Sequence, residues 1–241
     1  MKILTMDIET SPHLGFFFGL FNQNFSLQQI EEFTKVICFA AKWYGEDEVL
    51  FFSDFHNGHA NSMRAAYDLF DEADVLVTYN GDGFDIKHMK REFLLQGFTP
   101  FSPIQSVDLY KVNKSQFRFG STKLDHLSQQ LGIGQKVKHA GFQLWIDCLN
   151  GDIDAWDKMR EYNMEDVRLT EVAFDKVKSW IPNLPHEGLY LDKPFSCRCG
   201  SENLQKRGFH YTTLGKYQRY RCNDCDRWLH SSKSELRVEV R

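Results

Sequence analysis

Four of the six cysteines stand in two close pairs near the carboxy-terminal end, Cys197 with Cys199 and Cys222 with Cys225. The first residues, MKILTMDIET, hold two acids and no apolar run leading to a cleavage site, so no export signal is expected. In such a chain, paired thiols read as ligands of one metal ion sooner than as disulfides. Four thiolates at tetrahedral corners suit a structural Zn²⁺. The segment that carries them is too short to close a core of its own, so the metal is expected to carry its folding. Cys38 and Cys148 are isolated. The pairs thus separate a small module from the remainder of a 241-residue chain, a length that allows one large domain and an appendage.

Charge divides at the same place. Residues 1–191 carry 18 Lys/Arg and 27 Asp/Glu, whereas residues 192–241 carry 11 and 6. A basic tail on an acidic body is suited to meeting a polyanion. Between the two, Pro182, Pro185 and Pro194 forbid a continuous helix. The expected organisation is a domain over 1–180, a linker over 181–194 and a small β module over 195–241. Hydrophobic residues make up 42%, enough for a core in the large domain. The longest apolar run, near Val36–Ala41, is far too short to span a bilayer, so no membrane role is expected.

The large domain alternates strand and helix patterns. Strands are expected at Lys2–Asp7, Gly15–Phe21, Lys35–Tyr44, Glu48–Ser53 and Asp74–Tyr79, where β-branched and aromatic residues recur. Helical spacing marks Ala60–Glu72, Phe84–Gln96, Leu124–Leu131 and Asp157–Lys178. This order argues for an α/β domain with a mixed sheet flanked by helices.

Three acidic features lie in that frame. Asp7 and Glu9 sit two residues apart at the end of the first strand, so both point to one face and can hold a hard divalent cation. Asp85 follows a second buried strand through the turn NGDG, near the start of a helix. Tyr162 and Asp166 are four apart in the long helix, on the same face one turn away from each other. Taken singly, each reads equally well as a solvated strand end, a helix cap or a surface pair.

Taken together, DIET, YNGDGFD and the YxxxD of Tyr162 to Asp166 resemble the three motifs of the DEDD (DnaQ-like) exonucleases of the ribonuclease H-like superfamily. The tyrosine resembles the DEDDy branch, closest to the proofreading domains of family B DNA polymerases. The resemblance covers residues 1–180 and implies a ribonuclease H-like fold. It implies catalytic residues Asp7, Glu9, Asp85, Tyr162 and Asp166, the four carboxylates holding two Mg²⁺ or Mn²⁺ and Tyr162 orienting the attacking water. The implied activity is 3′–5′ exonuclease hydrolysis of nucleic acid, DNA favoured and with a single-stranded 3′ end, to nucleoside 5′-monophosphates. Replication proofreading, repair or recombination would be its setting, in the cytoplasm of a bacterial cell or a virus-infected bacterium. A structure-selective endonuclease or ribonuclease on the same fold is the alternative enzyme. An inactive nuclease domain carrying a binding module is the alternative of another class.

The carboxy-terminal segment resembles a zinc ribbon, with Cys197, Cys199, Cys222 and Cys225 as ligands. Its first knuckle is Cys-x-Cys in place of Cys-x-x-Cys, which leaves His210 or His230 as substitutes. Cations alternate with aromatics between the knuckles, among them Lys206, Arg207, Tyr217, Arg219 and Arg221. That is the composition of a surface that meets phosphates and stacks bases. Lys111, Lys114, Phe117, Arg118, Phe119 and Lys123, and then Lys136, Lys138 and His139, offer the same in the large domain. Docking to a DNA polymerase or another replication protein is the competing use of the ribbon.

Overall fold

The computed structural model describes residues 1–19, 21–22 and 24–239. The chain forms two compact units, Lys2–Asp175 and a second from Lys176 onward.

The first unit is built on β1 (Ile3–Thr10). Its strand order continues with β2 (Leu14–Gly15), β3 (Ile30–Glu32), β4 (Val36–Trp43), β5 (Leu50–Ser53), β6 (Val75–Thr78) and β7 (Gln105–Asp108). Five of these make one sheet in the order β5-β4-β1-β6-β7. β1 pairs antiparallel with β4 and parallel with β6, so the sheet is mixed, as expected. Helices α1 (Asp54–Asn57), α2 (His59–Glu72), α3 (Asp85–Leu95), α4 (Leu109–Gln116), α5 (Leu124–Leu131), α6 (Phe142–Leu149) and α7 (Ile153–Val177) complete the unit.

Alternation along β1 sorts its side chains between two helical layers. Leu4, Met6 and Ile8 share a core with Met63, Ala66 and Phe70 of α2 and Met89 and Phe93 of α3. Thr5, Asp7 and Glu9 therefore face the opposite layer. There Ile37 and Cys38 of β4 pack with Leu144 and Cys148 of α6 and Trp156, Met159 and Tyr162 of α7. β4 is buried along almost its whole length, which is why its sequence is a continuous apolar run and not an alternating one.

Some elements differ from expectation. The strand expected at Gly15–Phe21 shrinks to Leu14–Gly15, paired only with β3; Leu20 lies outside the described residues. Phe16, Phe17, Phe18 and Phe21 are exposed. These rings have no sheet face to alternate against, so β propensity alone does not extend the strand. β7, α4 and α6 were not expected. Lys111 and Lys114 therefore sit on a helix.

The second unit contains α8 (Glu187–Tyr190), β8 (Leu204–Tyr211), β9 (Gly215–Cys222), β10 (Trp228–His230) and β11 (Leu236–Arg237). β9 is the centre of its small antiparallel sheet, paired with β8, β10 and β11. The prolines of 181–194 belong to this unit. Arg198 donates to the carbonyls of Pro182 and Leu184, and Arg227 to those of Lys178 and Ile181. Among the described residues no helix is long and apolar enough to cross a membrane.

Candidate active site and cysteine cluster

β1 pairs with β6 only through Ile3, Leu4 and Thr5. Beyond Thr5 this pairing stops, at the carboxyl ends of the parallel strands, the end at which open α/β sheets bind ligands. Asp85, the first residue of α3, meets β1 there, its carboxylate accepting the Ile8 N–H at 3.1 Å. The turn that delivers Asp85 needs glycine: a Cβ at Gly81 would lie 2.3 Å from the Thr78 hydroxyl oxygen. Asp108, at the end of β7, holds the turn together. Its Oδ1 accepts the N–H groups of Asn80 at 2.8 Å and Tyr110 at 2.9 Å.

From the other side α7 lays Tyr162, Asn163 and Asp166 against the odd-numbered face of β1. Asn163 Nδ2 donates to Asp7 Oδ2 at 2.7 Å and to the Asp7 carbonyl at 3.2 Å. Trp145 of α6 lies beside Glu9 and favours its charged form. Lys136 forms an ion pair with Asp166 and donates to the Tyr162 hydroxyl at 3.4 Å. The rings of His139 and Trp145 flank Tyr162, with centroids 4.8 and 6.2 Å away. All five residues singled out for catalysis thus converge on one end of β1.

Electrostatically the cluster is under strain. Burial raises the Asp7 carboxyl well above its ordinary range, and Asp85, Glu9 and Asp166 raise it further. Burial, then Asp166, pushes Glu9 to about 8 against the pull of Lys136. Asp85 is lifted to about 7 by burial, though backbone N–H groups oppose this. Asp166 rises through burial despite Lys136 and Tyr162, and its Oδ1 is buried without a hydrogen-bond partner. Four carboxylates, Asp85 and Asp166 buried and Asp7 and Glu9 partly so, with one lysine among them lack counter-charge. Oxygen-only donors of this kind suit hard divalent cations. The residues present fit such ions. Tyr162 is pushed far above the ordinary phenol range by burial and by Asp166, Glu9 and Asp7, so its hydroxyl keeps its proton.

Over residues 28–177 the sequence matches a family model described as the RNase H superfamily. The chain belongs to the RNase H superfamily. No curated protein is similar enough to count as a relative. The matched segment contains Asp85, Tyr162 and Asp166, while Asp7 and Glu9 precede it. RNase H-like membership points to a nuclease, hence to a nucleic-acid substrate and divalent-metal chemistry.

Three participants in this RNase H-like site carried no sequence signal of their role: Asn163, Asp108 and Trp145. Asn163 lies inside the third motif, yet only a contact spanning 156 positions gives it a function. The other basic residues fall elsewhere. Lys111 is paired with Asp82 at 2.6 Å. Arg118 and Lys123 lie in or beside the loop 117–123 and make no contact with the acidic cluster.

In the second unit the Sγ atoms of Cys197, Cys199, Cys222 and Cys225 all lie within 4.8 Å of one another. Cys197 and Cys225 are 3.5 Å apart, Cys199 and Cys222 3.8 Å. Sulfurs at 2.3 Å from a tetrahedral Zn²⁺ are separated by about 3.8 Å, so the cluster fits zinc. Backbone N–H groups of Asp224 and Cys225 point at Cys222 and hold its thiol below its usual range despite burial, while burial pushes Cys199 up to about 11. His210 and His230 stack on each other at 4.7 Å and do not join the cluster. The basic and aromatic residues expected to meet nucleic acid divide between the faces of the small sheet. Tyr217, Arg219 and Arg221 share one face by alternation along β9. Lys206, paired in register with Tyr220, is on the other, and Arg207 adjoins the bulge. Arg221 is engaged by Asp226 at 2.6 Å.

Proposed function

We propose that the chain is a two-metal-dependent 3′–5′ exonuclease that shortens single-stranded 3′ ends, of DNA in preference to RNA, releasing nucleoside 5′-monophosphates. The observation that carries this reading is the convergence of Asp7, Glu9, Asp85 and Asp166 with Tyr162 at the open end of β1. Asp7, Glu9, Asp85 and Asp166 would hold the two cations between them. Bound there, two Mg²⁺ or Mn²⁺ ions would supply Lewis-acid stabilisation and an activated nucleophile for in-line displacement at phosphorus.

The chain's own residues account for the rest. Burial and the ordinary phenol range both favour a protonated Tyr162 at neutral pH, so it would serve as a hydrogen-bonding orienter of the attacking water and not as a base. Asn163 fixes the Asp7 carboxylate. Lys136 brings the cation that the acidic cluster needs, and would meet a phosphate when the carboxylates are engaged elsewhere. His139 and Trp145 wall one side of the tyrosine. A single structural Zn²⁺ on the four cysteines would hold the second unit as a zinc ribbon. Its basic, aromatic sheet supports a role in holding the strand, and replication proofreading or repair is the setting we infer.

The test uses a 5′-labelled linear single strand, a circular control and Mg²⁺ or Mn²⁺. The expected result is a descending ladder from the linear strand, an intact circle, and loss of at least about 10³-fold in rate for Asp7→Ala with binding retained, since several kcal/mol of charge stabilisation is removed. Cutting of the circle would replace this reading with an endonuclease. An Asp7→Ala chain that cuts at the parental rate would overturn the site.

A further inference from the structure

The second unit contains a pocket of about 680 Å³ beside edge strand β10, lined by Phe195, Arg198, Arg227, Trp228, Ser232 and Lys233 among others. Its volume is in the range of small-ligand sites. It shares Leu204 of β8 and Tyr220 of β9 with the central sheet, but none of Lys206, Arg207, Lys216, Arg219 and Arg221 lines it. No Asp or Glu lines it, although the unit carries several.

Two kinds of group meet in it. Phe195 and Trp228 are 59% and 54% exposed, large rings that a unit with so little core would be expected to bury. Each makes a ring contact within the unit. Phe195 stands edge-on to Tyr220 at 5.5 Å, and the Arg219 guanidinium lies 5.0 Å from the centre of the Trp228 ring. The cations come from three places. Arg198 and Arg227 are chain neighbours of the cysteines and donate to backbone carbonyls. A divalent ion on the four thiolates would leave a net −2, which these two arginines would offset. Lys233 would be surplus to that balance, and next to it stands the exposed Ser232.

We propose that this pocket binds one nucleotide of a single-stranded nucleic acid, its base against Trp228 and Phe195 and its phosphate at Lys233. The chemistry is that of strand-tracking grooves: rings accept any base by its π-face, and cations follow the backbone. The acid-free lining spares a phosphate the repulsion it would meet at most of this chain's surface, which is net negative. The inference rests on the reading of the substrate as nucleic acid, and it gives the second unit a definite hold on the strand.

The test is fluorescence anisotropy of the full chain, with Asp7→Ala as background so that the strand survives. The probes are a labelled 15-residue oligothymidylate and an abasic strand of the same length, with zinc content measured on each variant. Trp228→Ala is expected to weaken oligothymidylate about tenfold, the usual worth of one stacked base, and to leave the abasic strand unaffected. Lys233→Ser is expected to weaken both strands and to lower the slope of affinity against salt by about one unit. Should Trp228→Ala lose its zinc, Phe195→Ser, at an exposed ring, carries the same test.

Unchanged affinity for oligothymidylate in variants that retain zinc would overturn the proposal. An abasic strand that binds as tightly as oligothymidylate would overturn the base contact. The nuclease reading fails separately. A parent chain that binds through the pocket but never shortens a strand loses only the exonuclease, and one that shortens strands while its pocket variants bind like the parent loses only the pocket.

Discussion

The acidic cluster and the cysteine cluster are both sets of four potential ligands with an i, i+2 pair at one end, yet they are assembled in opposite ways. Asp7, Glu9, Asp85 and Asp166 arrive from β1, α3 and α7, elements already fixed by two apolar layers. The cysteines arrive on two short knuckles in a unit with few buried apolar side chains. The first site is therefore set in a fold that its apolar layers hold. The second, with zinc bound, would be a site on which the fold depends. In one case an ion would relieve charges that the protein places where they repel; in the other it would replace a core.

Removal of zinc should separate the two most sharply. Structural zinc in modules of this kind contributes roughly 10–16 kcal/mol of binding free energy, more than a unit this small gains from burial. Chelation, or Cys222→Ser, is expected to abolish amide-exchange protection across Leu204–Tyr211 and Gly215–Cys222. Protection across Val36–Trp43 should remain. If the strands of the second unit stay protected without zinc, the contrast between a folding metal and a working metal is broken.

A smaller effect tests the acidic side. Asn163 is fully buried and its amide holds the central carboxylate. Outer partners of metal ligands are typically worth 10- to 100-fold in affinity. Asn163→Ala is expected to raise the Mn²⁺ concentration for half-maximal activity by that factor, with little change in melting temperature at low pH, where Asp7 is protonated. An unchanged Mn²⁺ midpoint would mean that the strand and helix alone orient Asp7.

Asn163 also marks how far the sequence was legible. The carboxylates and Tyr162 could be picked out because motif order and spacing survive in one dimension, and the strand–turn–helix around Asp85 follows from its glycines and its apolar run. Asn163, Asp108 and Trp145 act through partners far along the chain, and nothing local distinguishes them from solvated residues. β7 was missed for a related reason: Gln105–Asp108 is short and its first half is not buried, so neither alternation nor an apolar run announces it. The aromatic run after Gly15 misled in the opposite direction, because strand propensity without a buried face has nothing to pair with. The cysteine knuckles were the easiest to read, since each thiol pair is local in the sequence.

A third, partly buried charge cluster, on the α2–α3 side of the same sheet, completes the comparison because cations and carboxylates pair within it. His59 Nδ1 lies 2.9 Å from an Asp54 carboxylate oxygen and Nε2 3.3 Å from one of Glu92. Two carboxylate partners, which accept when ionised, favour the imidazolium. Its hydrogen bonds to Asp54 and Glu92 raise it to about 9, burial opposing. Burial raises Glu92, but His59, Arg91 and the Val36 N–H outweigh it and bring it to about 2. The folded chain thus holds the His59 proton more tightly than the unfolded chain, whose histidine titrates near 6.5. By linkage the stabilisation is complete below about 6.5 and is lost as pH rises through about 9. For Glu92 the sign is reversed: its contribution is present above about 4.5 and is lost as pH falls toward 2. His59→Gln is expected to cost about 1 kcal/mol at pH 6, discounted for a ring that is a quarter exposed, and close to nothing at pH 10. Urea midpoints of the parent and the variant at those two pH values, with zinc kept bound, measure it. A difference that persists undiminished at pH 10 would mean that His59 contributes packing alone, and that the cluster does not supply its own counter-charge.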